Sequence, residues 1–162
     1  MKRLIVYYSL GGNTEFAARQ IAGRTDAALL RVDAARAYPD KGFRKFFWGG
    51  KSAVMAETPA LAPYDFNPDD FEQVIFGFPV WAANIAPPIR SFIRENRGAL
   101  AGKGLAAFAC QSGSGAEKAL RKLRAELKVE ALDAEMILID PKDRPAPDNE
   151  GRLRRFCEQL ER

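Results

Sequence analysis

Five apolar runs of strand length, Arg3–Tyr8, Ala28–Asp33, Gln73–Phe78, Gly104–Cys110 and Glu135–Asp140, alternate with segments of helical period. That alternation restricts the chain to an α/β fold in which a parallel sheet is covered by helices on both faces. Helices are predicted near Asn13–Arg24, Pro88–Asn96, Ser114–Leu127 and Asn149–Leu160. Pro87 and Pro88 pre-set the backbone angles for a helix start, and Gly98 and Gly102 end and follow that helix. A length of 162 residues suits one domain with its own core, so a single domain over residues 1–162 is expected.

The stretch from Arg36 to Asp70 breaks the alternation, carrying Pro39, Pro59, Pro63 and Pro68 and no sustained period. A connection of that length is functional or holds a short helix. "FRKFFWGGKSAVM" could supply the helix, with Phe43, Phe46 and Phe47 or Trp48 either packing inward or walling a ligand pocket.

Several chemistries are excluded by what the chain lacks. It has no histidine, and its two cysteines, Cys110 and Cys157, stand far apart. Zinc sites and redox dithiols of the usual spacing are unsupported, no metal is expected, and His-assisted nucleophilic catalysis is removed in its standard forms. Cys157 sits in a helical pattern as a small apolar residue. The leading "MKRLIVYY" is too short and mixed for a secretory signal. No apolar stretch approaches the ~20 residues of a membrane span, so a soluble, cytoplasmic chain is expected. The net charge of +4 raises the question of nucleic acid. No recognition motif accompanies the basic clusters Lys41–Lys51, Lys118–Lys128 and Arg152–Arg155, and the second reads as the solvated face of an amphipathic helix.

What remains is the seam "SLGGNT" between the first strand and the first helix. Backbone N–H groups of Leu10, Gly11, Gly12, Asn13 and Thr14 lack intrahelical partners there and can converge on one anion, aided by the helix dipole. The glycines permit the crowded or left-handed angles of such a cradle. Ser9, Asn13 and Thr14 add side-chain donors. The alternative is that Asn13 or Thr14 merely caps the helix and the glycines merely make the turn. The seam is not G-x-G-x-x-G, although Asp33 comes close to the acidic residue of that pattern. "GGKS" at Gly49–Ser52 is not a triphosphate loop, because Lys45 holds the position of its first glycine. "SGSG" at Ser112–Gly115 lacks the flanks of a nucleophile elbow.

Two further loops follow the third and fourth strands, at the edge where open α/β sheets bind ligands. "PVWAAN" brings Pro79, Val80, Trp81, Ala82, Ala83 and Asn84, with an indole as a flat platform. "CQSGSG" brings Cys110, Gln111, Ser112, Gly113, Ser114 and Gly115, small polar groups suited to the edge of a planar ring; Cys110 either tunes that ring or fills space. Phosphate cradle, platform and polar rim describe a pocket for a phosphorylated planar heterocycle.

At these residues the chain resembles a flavodoxin of the short-chain type. "SLGGNT" resembles the phosphate loop [ST]-x-T-G-x-T, and "FPVWAANIAPPIRSFI", "KGFRKFFWGGKSAVM" and "ACQSGSGAEKAL" resemble segments of one flavodoxin-like group. The resemblance implies strand order 2-1-3-4-5 and flavin mononucleotide (FMN) as cofactor. Residues 9–14 would hold the phosphate, 79–84 the inner side of the ring, and 110–115 its pyrimidine edge, with a backbone group of Ala82–Asn84 near the flavin N5. The chain departs from the pattern in three ways. Gly11 stands where the motif has threonine, the third loop has no aromatic residue over the outer ring face, and the chain is basic where carrier flavodoxins are acidic.

Three functions are open on this reading. One is an electron carrier serving a redox partner protein. Another is a reductase taking hydride from NAD(P)H and passing electrons to a quinone or similar small acceptor, with the chemistry on the flavin and no catalytic side chain. The third keeps the fold as a binding module without cofactor.

Overall fold

A computed structural model describes residues 1–38 and 57–162 of the chain. Its elements in order are β1 (Arg3–Tyr7), α1 (Asn13–Thr25), β2 (Ala28–Arg31), a 3₁₀ turn (Pro68–Asp70), β3 (Gln73–Pro79), α2 (Pro87–Glu95), α3 (Arg97–Leu100), β4 (Gly104–Gln111), α4 (Ala116–Leu127), β5 (Ala134–Ile139) and α5 (Asn149–Leu160). The strands are all parallel and lie in the order β2-β1-β3-β4-β5, as the resemblance implied. From β1 the chain goes to one side to form β2 and then returns to form β3 on the other side of β1. Strand order reverses at β1, and the crevice beside its carboxyl end is where such sheets place their ligands.

Each inner strand is buried on both faces, which is why it reads as a continuous apolar run. Leu4, Val6, Val74, Phe76, Phe78, Leu105 and Ala107 point to the layer of α2 and α4. Their chain neighbours Ile5, Tyr7, Ile75, Ala106 and Phe108 point to the layer of α1 and α5, where Ile21, Phe156 and Leu160 meet them. Fully burying a side chain such as Ile5, Phe76 or Ile75 contributes about 1.5–3 kcal/mol.

Element boundaries shift from the sequence expectation for local reasons. Asn96 leaves helical geometry (φ −116°, ψ 16°), and its backbone N–H and Nδ2 both donate to the Phe92 carbonyl, which closes α2 one residue early. A separate short helix, α3, then takes in Gly98, which the sequence reading used as a stop. The next helix begins at Ala116 rather than Ser114, because Gly115 in front of it is left-handed at φ +102°. Strand β2 ends at Arg31, two residues sooner than expected.

The expected helix in "FRKFFWGGKSAVM", with Phe43, Phe46, Phe47 and Trp48, lies outside the described residues. The described ends of that connection are stitched together by an antiparallel bridge between Ala34 and Leu61. Ala35 N–H donates to Ala60 O at 2.8 Å, and Ala62 N–H to Asp33 O at 2.9 Å. Tyr64 and Phe66 then pack their rings 5.4 and 5.2 Å from Phe92. Among the described residues no helix is long and apolar enough to cross a membrane.

Gly77 on β3 faces Phe108 on β4 in register, and a Cβ there would lie 2.2 Å from Phe108 Cζ. Phe108 is wholly enclosed and has nowhere to move. Gly77→Ala is therefore expected to destabilise the fold by about 2–3 kcal/mol through overpacking, read as a lower urea midpoint at unchanged m-value. An unchanged midpoint would show that β3 and β4 are not packed this tightly.

Candidate functional site

Four loops at the carboxyl ends of the strands enclose a cavity of about 430 Å³. The three loops singled out from sequence meet there. Ser9, Leu10, Gly11, Asn13 and Thr14 form one wall; Pro79, Val80, Trp81 and Ala82 form the second; Cys110, Gln111, Ser112, Gly113 and Ser114 form the third. Gly12, Ala83, Asn84 and Gly115 from the same stretches do not line the cavity directly. A fourth loop, between β5 and α5, adds Asp140, Asp143 and Arg144, which the sequence reading did not single out.

The first wall is the start of α1. Gly12 precedes the helix at φ +95°, and no side chain takes the usual capping place. Asn13 and Thr14 sit in the first turn, where backbone N–H groups have no acceptor within the helix. Ser9 Oγ accepts the Glu15 N–H at 3.1 Å, which leaves its own hydrogen free to donate into the cavity. Thr14 Oγ1 is buried and has no hydrogen-bond partner. An orphaned hydroxyl in the first turn of a helix, on a cavity wall, is a donor without an acceptor, and so costs energy unless something fills the space.

Asn13 behaves differently from the sequence expectation of a phosphate donor. Its Oδ1 accepts the N–H groups of Lys142 and Asp143 at 2.8 and 3.2 Å, and its Nδ2 donates to Asp143 Oδ2 at 3.0 Å. Its side chain fastens the β5–α5 loop to the start of α1. Arg31, at the end of β2, was also missed: its Nη2 donates to the Ser9 carbonyl at 2.6 Å while Asp33 and Glu15 hold the rest of its guanidinium. A lone arginine after three apolar residues was the available signal, and only the adjacency of β2 to β1 gives it meaning.

The second wall is a tight turn. Ala82 and Ala83 both have positive φ, at 49° and 56°, and Asn84 N–H closes the turn on Trp81 O at 2.9 Å. Left-handed geometry at two alanines costs roughly 1–2 kcal/mol each. The surroundings hold it: Asn84 Nδ2 donates to Ala82 O at 3.1 Å, and Lys122 Nζ of α4 donates to Asn84 Oδ1 at 2.6 Å. Lys122 is thus not simply part of a solvated face, and burial lowers its pKa, with Lys118 and Arg90 adding to the effect. Trp81 is propped edge-to-face by Tyr8 at 5.5 Å and Tyr38 at 5.4 Å. Burial drives the Tyr8 hydroxyl far above the ordinary tyrosine range, so that prop stays neutral.

On the third wall, Gln111 Oε1 accepts the Ala116 N–H at 3.0 Å and caps α4. Ser112 Oγ donates to Asp140 Oδ1 at 2.6 Å, tying the third loop to the fourth. Ser112, Gly113 and Ser114 are exposed, and a Cβ on Gly113 would meet nothing within 4 Å, so the rim on this side is open. Cys110 is enclosed. Burial pushes its thiol up to about 12; the Thr14 hydroxyl beside it pulls back, short of hydrogen-bond geometry, and Asp140 adds to the rise. Both cysteines are free and buried. Among the described residues no group of acidic, histidine or cysteine side chains could hold a metal.

A model of the flavodoxin family matches residues 2–140. The fold is similar to a Lactobacillus acidophilus flavoprotein solved in complex with FMN, at TM-score 0.74 and 15% identity over 96% of this chain and 97% of that one. A flavoprotein candidate from Bacteroides eggerthii superposes at TM-score 0.80 with 19% identity, covering 99% and 98% of the two chains. A flavodoxin from the domain Archaea matches at TM-score 0.58 and 18% identity over 99% and 97%. No curated protein matches the sequence.

Two outcomes are expected of this geometry. Gly12→Ala forces a β-carbon into left-handed backbone at φ +95°. It is expected to cost about 1–2 kcal/mol in urea unfolding of the flavin-free protein. A neutral substitution would mean that the seam relaxes out of this shape. A thiol-labelling reagent at neutral pH should react with the native protein only as fast as it unfolds, since the enclosed Cys110 stays protonated. Rapid labelling of Cys110 would contradict its burial in the third wall.

Proposed function

Since the chain belongs to the flavodoxin family, we propose that it binds FMN in the cavity at the carboxyl edge of its sheet and works as a cytoplasmic electron-transfer protein. The buried, unpartnered hydroxyl of Thr14 carries this reading, because it stands in the first turn of α1 on the same cavity wall as a row of free amide hydrogens. A phosphate dianion satisfies both at once.

The residues fit the rest of the cofactor. Ser9, Leu10, Gly11, Gly12 and Thr14 would take the phosphate with their amides and hydroxyls, and Arg31 positions that loop through the Ser9 carbonyl. Trp81, held by its two tyrosines, would offer its indole to the inner face of the ring. The braced Ala82–Asn84 turn would present backbone to the ring's central edge, and Cys110 to Gly115 would line the pyrimidine edge. Bound flavin supplies the capacity to accept and release electrons. Asp140, only 8% exposed and fastened by Ser112, would face the bound cofactor from the cavity wall.

One observation favours a second reading. Among the described residues the Ser112–Ser114 rim is exposed and carries no ring, so on that side the outer face of a bound flavin would be open to a small donor. A reductase taking hydride from a nicotinamide nucleotide and serving a quinone or similar acceptor uses such a face. The basic balance of the chain, +4, suits an anionic donor better than it suits docking on a cationic partner protein.

The test is a titration with FMN, followed by stepwise reduction and an assay of NAD(P)H consumption with a quinone. A carrier should take electrons in two resolved steps and leave NAD(P)H untouched. A reductase should take them in one step and consume it. Trp81→Ala should weaken FMN by about tenfold or more, the worth of one stacking partner at roughly 1–3 kcal/mol. Unchanged affinity and unchanged flavin spectrum in that variant would show that the ring lies elsewhere. Failure of the native protein to bind FMN would leave the fold serving as a binding module.

A further inference from the structure

The fourth loop brings a cation to the phosphate wall. Lys142 follows β5 by only a few residues, and the loop that carries it crosses to the start of α1, where Asn13 accepts its N–H at 2.8 Å. A Cβ built on Gly12 would lie 2.9 Å from Lys142 Nζ and 3.4 Å from its Cδ. The lysine stem therefore lies across Gly12, whose missing side chain leaves it room. Its ammonium has no hydrogen-bond or ion-pair partner among the described residues. The carboxylates around it are engaged elsewhere: Glu15 by Arg19 at 2.8 Å and Arg31 at 3.2 Å, Asp143 by Asn13 at 3.0 Å, and Asp140 by Ser112 at 2.6 Å with Arg144 at 3.9 Å. Lys142 still makes its charge felt there, helping to lower the pKa of Glu15 behind the larger effect of Arg19.

An unpaired ammonium resting on Gly12, in the seam whose Thr14 carries a buried hydroxyl with no acceptor, lacks an anion. We propose that Lys142 is a phosphate ligand of the cofactor, delivered from the β5–α5 loop, and that Asn13 is the positioning residue that holds that loop in place. This rests on the FMN reading above and deepens it. The lysine replaces what the seam has lost, since Gly11 stands where the related phosphate loops carry a threonine hydroxyl. It exchanges a neutral donor for a charged one, and charge-assisted hydrogen bonds to phosphate are about twice as strong as neutral ones. Lys142 is exposed, so its attraction is open to screening by salt.

The experiment measures FMN and riboflavin affinity by flavin fluorescence for the native protein, Lys142→Gln, Lys142→Arg and Asn13→Ala, between about 50 and 500 mM salt, a range over which the screening length shrinks severalfold. The native protein should prefer FMN over riboflavin, and the preference should fall as salt rises. Lys142→Gln should weaken FMN about tenfold, leave riboflavin unchanged and flatten the salt dependence, while Lys142→Arg keeps most of both. Asn13→Ala should weaken FMN selectively, and combining it with Lys142→Gln should add little. Native FMN affinity and salt dependence in Lys142→Gln would overturn the proposal and leave the FMN site standing. Riboflavin bound as tightly as FMN by the native protein would overturn it too, while sparing the ring pocket. Binding of neither flavin by any of these proteins would overturn the proposal and the FMN reading together.

Discussion

The first turn of an α-helix carries amide hydrogens that the helix cannot satisfy from within. Here that turn faces a cavity, Ser9 takes only the Glu15 N–H, and Thr14 adds a buried hydroxyl with no acceptor. The surrounding features either hold this arrangement in place or answer it. Arg31 grips the Ser9 carbonyl from β2, Asn13 fastens the fourth loop from the other side, and Gly12 takes the left-handed angle that lets the strand turn into the helix. Donors left unmet in so rigid a neighbourhood are what an anion would satisfy.

The remaining walls show how the scaffold maintains unfavourable local geometry. Two consecutive left-handed alanines next to a tryptophan would relax if left alone. Lys122, Asn84 and the close packing of Gly115 against Ala83 hold them, while Tyr8 and Tyr38 keep the indole upright. Charge is distributed with similar economy. Arg31 and Lys142 both reach the α1 seam, while Asp140 on the cavity wall is held by Ser112 and faced by Arg144.

The fold was legible because every inner strand is buried on both faces, so Ile5 and Val6 or Ile75 and Phe76 appear as unbroken apolar runs. Three of the four cavity walls were legible as well, since a strand's end followed by glycines, an indole or small polar residues is a local pattern. The fourth wall left no such trace. Asp140, Lys142, Asp143 and Arg144 look like an ordinary polar turn until α5 and α1 are seen to share one face of the sheet. In sequence Asn13 reads as a donor to the ligand because its partner loop is more than a hundred residues away. Lys122 reads as part of a solvated helix face for the same reason. Patterns confined to one segment survive in a single sequence, whereas contacts between segments depend on topology.

The most direct test of the account is titration of the flavin-free protein with FMN, followed by flavin fluorescence. Saturable, one-to-one quenching, weaker for riboflavin, is the predicted result. Emission that stays at the level of free FMN throughout the titration would contradict the claim that this seam holds the phosphate.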